Sequence, residues 1–194
     1  MLALGDSLTF GLGGDPGGYR APLEQLLRRE GIEVEFIGPH SDRDGGHHAG
    51  KIGRTANILR REVKEVLDDY SPDVVLLLIG TNDIRQPQNT VDQVARDIAE
   101  VAGVIRDRLP EVLLIVGSLP PVADSEIQER IDTINRLITA RDGVLLEAAP
   151  EIHIADIAKH ISLDDLDDGL HARQSGYVKM AHVWFETLRA AISH

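Results

Sequence analysis

Short apolar runs alternate with amphipathic segments along the whole of this chain. The clearest run, Val74–Ile79, contains only Val, Leu and Ile, as expected of a strand that is buried on both faces of a sheet. Strands that alternate with helices form parallel sheets through right-handed crossover connections. The sequence therefore predicts an α/β fold, in which an open parallel β-sheet carries helices on both of its faces.

The spacing of the apolar residues sets the bounds of each element. The predicted strands are Met1–Leu4, Glu33–Ile37, Val74–Ile79, Val112–Val116 and Val144–Glu147. The predicted helices are Tyr19–Arg29, Ala56–Tyr70, Thr90–Leu109, Ile127–Ile138 and Ser175–Ile192. Because the 194 residues contain no internal repeat and no long linker, we expect one domain over residues 1–194.

The composition argues against several kinds of partner and site. The formal net charge is -12, from 20 Lys and Arg against 32 Asp and Glu, whereas nucleic acids and anionic membranes attract basic surfaces. We therefore expect no nucleic-acid partner and no membrane insertion. Because the chain has no Cys, disulfides, thiolate metal sites and a cysteine nucleophile are excluded.

The compartment and the oligomeric state stay open at this point. The sequence begins without the basic and long apolar segments of a signal peptide, which favours a cytoplasmic protein as it stands. Removal of a signal peptide would instead make it a secreted protein. No pattern in the sequence specifies the oligomeric state.

Polar residues suited to hydrolysis occur where the predicted elements meet. Ser7 follows the first strand, Asn82 follows Val74–Ile79, and Asp168 and His171 precede the last helix. Open parallel sheets build their sites at the carboxyl ends of the strands. A serine nucleophile needs an imidazole to take its proton, a carboxylate to orient that imidazole, and donors for the oxyanion. These residues supply each of those parts.

The same residues resemble the four hallmark blocks of the GDSL or SGNH hydrolase family, whose members share Ser, Gly, Asn and His in separate blocks. Gly5–Leu8 resembles the first block, Gly80–Asp83 the block with the Asn, and Asp168–His171 the last. His48–Thr55 resembles the remaining block, which reads HxGxxGxT. The four stretches come in family order. The resemblance implies a flavodoxin-like, three-layer α/β/α domain and a serine hydrolase.

The resemblance also implies a role for each residue of a catalytic triad. Ser7 takes the place of the nucleophile, His171 that of the general base, and Asp168 that of its partner. Ser7 could instead be a helix N-cap, which is a common structural role of Ser. Only its offset from His171 distinguishes Asp168 from the other carboxylates of its acidic run, which are Asp164, Asp165 and Asp167.

For the oxyanion hole, the resemblance implies the N–H of Ser7, the N–H of Gly53 and the amide of Asn82. Gly50 is an alternative to Gly53, and Asn82 could instead stabilise a turn. The chain departs from many family members at Ala172, where they carry Pro after the His. No metal ion and no organic cofactor is implied.

A narrower resemblance points to the substrate. Gly17–Arg20 and His48–Gly53 are similar to the acetyl xylan esterase branch, carbohydrate esterase family 3. The expected partner is therefore a small-molecule or glycan ester, and the expected reaction is hydrolysis of short acyl esters, acetyl above all. The alternatives are a lysophospholipase or acyl thioesterase, an acyltransferase that uses the same triad, and a glycan-binding module without activity.

Two further patterns in the sequence are compatible with other roles. Gly45–Lys51 resembles the phosphate-binding pattern G-x-x-x-x-G-K, but Ile52 stands where Ser or Thr would hold magnesium. Three arginines follow the site motifs: Arg20, Arg54 and Arg85. Each could attract an anionic substrate or pair with a carboxylate, and we favour an ordinary ion pair at the surface.

Overall fold

Six strands form one sheet in the computed structural model, which describes residues 1–42, 46–140 and 143–193. The strands are β1 (Leu2–Gly5), β2 (His40–Ser41), β3 (His47–Gly50), β4 (Val74–Leu78), β5 (Leu113–Gly117) and β6 (His153–Ala155). They lie in the order β2-β3-β1-β4-β5-β6, and all neighbours are parallel except β2 and β3. The predicted parallel sheet is confirmed, with a short antiparallel strand at one edge.

Helices cover both faces of this sheet. They are α1 (Ser7–Phe10), α2 (Arg20–Arg29), α3 (Ala56–Tyr70), α4 (Thr81–Ile84), α5 (Val91–Arg108), α6 (Ser125–Thr139), α7 (Val144–Ala148) and α8 (Gln174–Ile192). Helices α3 and α6 pack against α5, and α2 packs against α8. No helix in the described part of the chain is both long and apolar enough to cross a membrane.

Helix α3 illustrates how the sequence defines an element. Thr55 caps it, because its side chain accepts a hydrogen bond from the N–H of Ile58 at 3.2 Å. Leu59, Val63 and Leu67, spaced by four, are buried along one face. The helix ends at Tyr70, before a residue in the left-handed conformation, and the predicted bounds are confirmed.

The prediction of a strand at Val144–Glu147 is wrong, because this segment forms α7. A short apolar run does not distinguish a buried strand from one turn of helix. Here the carbonyl of Gly143 accepts the N–H groups of Leu146 and Glu147, which starts the helix. The edge strand β6 follows it and was not predicted.

The prediction of a strand at Glu33–Ile37 is also wrong. Only Ile37 makes a single parallel bridge, to Leu2, because further along β1 the neighbouring position is taken by β3. The segment is nevertheless fixed to the start of β1, since the carbonyl of Glu35 accepts the N-terminal ammonium at 2.9 Å. Gly45, the first residue of the phosphate-binding pattern, lies outside the described residues.

The carboxyl ends of β1 and β4 approach each other closely. Both strands are buried, and Gly5 pairs with Leu78 in the ladder. A Cβ on Gly5 would lie 2.1 Å from the carbonyl oxygen of Leu78, so only glycine fits there. The two segments that leave these strands, one starting at Asp6 and one at Gly80, therefore begin side by side.

Candidate active site

Ser7 is the first residue of α1, directly after β1. The N-cap of this helix is Asp6, whose Oδ1 accepts the N–H of Leu8 at 3.0 Å. Ser7 is therefore not the cap, and its side chain is free of that structural role. The N–H groups of a first helical turn have no acceptor within the helix, so the N–H of Ser7 lies where an anion would be stabilised.

The structure brings Ser7, His171 and Asp168 into one hydrogen-bonded line. His171 Nε2 lies 3.1 Å from Ser7 Oγ, and His171 Nδ1 lies 2.7 Å from Asp168 Oδ2. The second oxygen, Oδ1, accepts the N–H groups of Leu170 and His171 at 3.0 and 2.8 Å. These hydrogen bonds lower the pKa of Asp168 to about 2, and the bond donated by the His171 N–H has the largest effect. Asp168 therefore stays ionised and both shapes its turn and orients the imidazole.

The segment that carries Asp168 and His171 is a tight loop closed by backbone contacts. Leu166 and Ala172 form an antiparallel bridge, and the N–H of Asp167 donates to the carbonyl of His171 at 2.8 Å. Gly169 has a φ of 80°, and its carbonyl accepts the N–H of Ala123. Many family members carry Pro at the position of Ala172. In this chain, the bridge and these hydrogen bonds hold the loop at that position.

Asp165, a neighbour in the same acidic run, is buried and has a different role. Its carboxylate lies 2.7 Å from Lys179 Nζ on α8 and accepts the N–H of Ser162. This ion pair fastens the start of the loop to α8. Within the described residues of the run, Asp168 is the carboxylate that contacts His171.

Asn82 lies on α4, which begins three residues after the end of β4. Its Nδ2 donates to the carbonyl of Arg54 at 3.0 Å and lies 3.4 Å from Asp6 Oδ2. Both acceptors belong to other segments of the chain, so this amide connects the segments that follow the carboxyl ends of the strands.

Gly53 and Gly50, the two candidate glycines, differ in what their N–H groups contact. The N–H of Gly50 already donates to His48 Nδ1 at 3.1 Å in the buried part of β3. Gly53 has a φ of 76° and is the third residue of a turn closed by the Arg54 N–H and the Lys51 carbonyl. That turn bond does not use the Gly53 N–H, so Gly53 is the better candidate donor.

Comparison with known proteins gives the family. Residues 3–179 match the model of the GDSL-like lipase/acylhydrolase family. The chain belongs to this family. The resemblance seen in the four sequence blocks is confirmed, and the chain is an ester hydrolase of the serine type by its family and its esterase relatives.

Relatives of this GDSL hydrolase include esterases. A multidomain esterase of Ruminococcus flavefaciens is 28% identical over 97% of this chain, and the match spans 28% of that relative's length. Platelet-activating factor acetylhydrolase IB subunit alpha2 of Rattus norvegicus is 27% identical over 81% of this chain and 69% of its own. A family 3 carbohydrate esterase of Clostridium thermocellum superimposes with a TM-score of 0.83 at 25% identity, over 99% of this chain and 96% of that one.

Two buried carboxyl groups adjoin residues of the candidate site in the sequence of this GDSL hydrolase: Asp6 precedes Ser7, and Asp83 follows Asn82. Asp6 is 1% exposed, and burial raises its pKa to about 7. Asp83 is equally buried, and burial raises its pKa to about 6 although its carboxylate accepts the N–H of Ala56. Nothing in a tetrapeptide motif reveals such burial, so the sequence alone does not single out these two carboxyl groups.

Arg20 and Arg54 form the expected ion pairs with carboxylates, but both arginines are buried, so the prediction that they lie at the surface is wrong. Arg20 donates to Asp42 Oδ2 at 2.6 Å and to the carbonyl of Thr9, two residues after the Ser nucleophile position. Arg54 pairs with Glu62 at 3.0 Å and donates to the carbonyl of Ala49. Both guanidinium groups therefore hold the segments around the site.

Phe10 is an exposed aromatic residue near the candidate site that the sequence motifs did not indicate. It lies one helical turn after Ser7 and is 42% exposed, although Phe is usually buried. Its ring meets that of His48 edge to face, with centroids 5.5 Å apart. Ile52, in the turn before Gly53, is 54% exposed. The available signal in the sequence was an apolar residue close to each of the two site motifs.

Proposed function

We propose that this chain is a serine esterase that removes short acyl groups, acetyl above all, from carbohydrate hydroxyls. The observation that carries the proposal is the hydrogen-bonded line from Ser7 Oγ through His171 to Asp168, with distances of 3.1 and 2.7 Å. Both distances are those of direct hydrogen bonds, so the nucleophile and its base are already in contact. We take residues 1–194 as one hydrolase domain.

The reaction proceeds in two halves. Ser7 Oγ attacks the ester carbonyl carbon while its proton passes to His171 Nε2, and the carbonyl oxygen becomes an oxyanion. The tetrahedral intermediate then expels the alcohol, which takes the proton back from His171, and the acyl group stays on Ser7. In the second half, water gives its proton to His171 and attacks the acyl-enzyme, which releases the carboxylic acid and restores Ser7.

The oxyanion would be held by three donors: the N–H groups of Ser7 and Gly53 and the side-chain amide of Asn82. Loss of one such donor typically lowers kcat by about 10²- to 10³-fold. Asp168 stabilises the imidazolium that forms during both halves, because their hydrogen bond becomes charge-assisted.

The packing of the loop after α1 favours a short acyl group. The loop lies on the ring of Tyr177, where a Cβ on Gly14 would be only 2.5 Å from the ring. The Tyr177 hydroxyl donates to the carbonyl of Leu12 at 2.8 Å, and the tyrosine is fully buried. A long acyl chain therefore finds no room between this loop and α8.

A groove of about 710 Å³ lies elsewhere, between β6 and α8. It is lined by Ile154, His182 and Val183 among others, and none of Ser7, Asp168 and His171 lines it. It is therefore not an acyl channel of this site.

Two observations favour a carbohydrate as the alcohol part. The exposed ring of Phe10 offers an apolar face to a sugar, one helical turn from Ser7. The structural neighbour from Clostridium thermocellum is a family 3 carbohydrate esterase. We infer the same class of substrate for this chain.

The experiment is hydrolysis of p-nitrophenyl acetate by the wild type, Ser7→Ala and the control Ser175→Ala, which changes an exposed serine on α8. We expect turnover by the wild type and the control, and background rates with Ser7→Ala. A longer series of p-nitrophenyl esters and acetate release from acetylated xylo-oligosaccharides then test the substrate. A rate maximum at octanoyl would contradict the short-acyl proposal, and acyl transfer to an added alcohol would favour an acyltransferase.

A further inference from the structure

Asp6 has two oxygens with different partners. Oδ1 caps α1 by accepting the N–H of Leu8 at 3.0 Å, and Oδ2 lies 3.4 Å from Asn82 Nδ2. The carboxyl is buried, so it cannot exchange these partners for bulk water. Its position immediately before Ser7 connects the nucleophile segment to the amide on α4.

The side-chain amide of Asn82 has two N–H groups, and both are engaged. One donates to the carbonyl of Arg54 at 3.0 Å, an ordinary hydrogen bond that fixes the plane of the amide. The other points at Asp6 across 3.4 Å, which is longer than the usual range of about 2.7–3.2 Å. If Asn82 donates to an oxyanion, it does so with this second N–H.

We propose that Asp6 is a positioning residue for the oxyanion: its carboxyl holds the second N–H of Asn82 beside Ser7 and releases it as the oxyanion forms. The long bond to Asp6 is replaced by a short, charge-assisted bond to the oxyanion. The amide keeps its bond to Arg54 during this exchange, so it turns little. This inference rests on the proposed function, because the oxyanion arises only when Ser7 attacks an ester.

The test is a double-mutant cycle on p-nitrophenyl acetate with Asp6→Asn and Asn82→Ala. We expect Asp6→Asn to lower kcat by about 10-fold or more, with KM within about twofold, because the misplaced donor acts only on the transition state. In the Asn82→Ala background, Asp6→Asn should lower kcat by less than about twofold, because Asp6 acts through Asn82 and the effects of the two substitutions then do not add. The proposal is overturned if Asp6→Asn leaves kcat unchanged. It is also overturned if the fall in kcat of the double variant equals the product of the falls in the two single variants.

Two controls separate positioning from folding. Asp97→Asn removes another buried carboxylate, on α5, and should keep the wild-type kcat. Asp6→Ser keeps a cap for the N–H of Leu8 but is too short to reach Asn82, so it should fold and show the kcat of Asp6→Asn. Wild-type kcat in a folded Asp6→Ser contradicts the proposal.

A measurement without any change at Asp6 completes the test. The side-chain amide resonances of Asn82, assigned by their loss in Asn82→Ala, should shift when a phosphonate is attached to Ser7. The tetrahedral phosphonate oxygen then takes the place of Asp6 as acceptor. Unchanged resonances in the adduct overturn this inference, whereas a wild-type protein that neither reacts with the phosphonate nor hydrolyses esters overturns the proposed function itself.

Discussion

Replacement of Asp168 by Asn should disable the general base, because the two carboxylate oxygens have different partners. Oδ1 accepts the N–H groups of Leu170 and His171, and Oδ2 faces His171 Nδ1. In Asp168→Asn, the amide oxygen keeps both backbone bonds only when its NH2 group points at Nδ1. The imidazole then carries its proton on Nε2 and cannot accept the proton of Ser7.

The opposite orientation of the amide restores the correct tautomer but gives up both backbone hydrogen bonds. At about 1 kcal/mol each, this costs about 2 kcal/mol. Loss of the charge removes about 1.5 kcal/mol more from the imidazolium, the lower end of the usual range for charged hydrogen bonds. We use the lower end because 54% of the Asp168 side chain is exposed and solvent screens its charge. The total of about 3.5 kcal/mol corresponds to a fall of roughly 400-fold in kcat/KM.

The assay is kcat/KM for p-nitrophenyl acetate at a pH where the wild type is fully active. Asp167→Asn is the matched control, since Asp167 is exposed in the same acidic run, and its kcat/KM should stay within about twofold of wild type. Thermal melts establish that both variants fold. If folded Asp168→Asn keeps more than about a tenth of the wild-type kcat/KM, Asp168 does not orient His171 as its hydrogen bonds indicate.

Three further predictions concern stability, backbone space and the alcohol part of the substrate. Burial raises the pKa of Asp6 to about 7 and that of Asp83 to about 6, above the 3.8 of an ordinary Asp. Their contribution to the free energy of unfolding is therefore largest below pH 3.8 and is lost as the pH rises to 7, by up to about 4 kcal/mol for Asp6. Denaturant titrations at several pH values measure this contribution. If the difference in free energy of unfolding between the wild type and Asp6→Asn does not change with pH, the prediction is wrong. Gly50→Ala should lower kcat by more than about 10-fold, because its Cβ would lie 2.5 Å from the Phe10 backbone nitrogen and displace α1. A wild-type kcat in this variant would show that the backbone accommodates the methyl group without moving Ser7. Phe10→Ala should raise KM for acetylated xylo-oligosaccharides about fivefold and leave that for p-nitrophenyl acetate unchanged, as initial rates would reveal.

The sequence predicted those parts of the fold that depend on long periodic patterns. The apolar spacing of four along Ala56–Tyr70 gave the bounds of α3, and Val74–Ile79 gave β4 with one extra residue. Prediction failed at Val144–Glu147, where a short apolar run is compatible with helix and strand. It also failed at β6, because the position of an edge strand depends on which neighbour is left unpaired rather than on local periodicity.

The motifs selected the residues of the proposed site but not the contacts that surround them. Ser7, His171 and Asp168 followed from their motifs, and the structure places them in contact. The burial of Arg20 and the two acceptors of Asn82 depend on segments that are far apart in sequence. No local pattern encodes such contacts, so they required the three-dimensional structure.

Ser7 and His171, the proposed nucleophile and its base, are separated by 164 positions in the chain, yet their side chains lie 3.1 Å apart. During synthesis on a ribosome, Ser7 emerges early and His171 emerges only after β6 has been made. The contacts of α8 with the loop after α1, from Tyr177 to the Leu12 carbonyl and from the Asp15 N–H to Gln174, come later still. On the proposed mechanism, a nascent chain therefore acquires its hydrolytic site only when almost all of these residues have left the exit tunnel, and we expect prematurely terminated chains to be inactive.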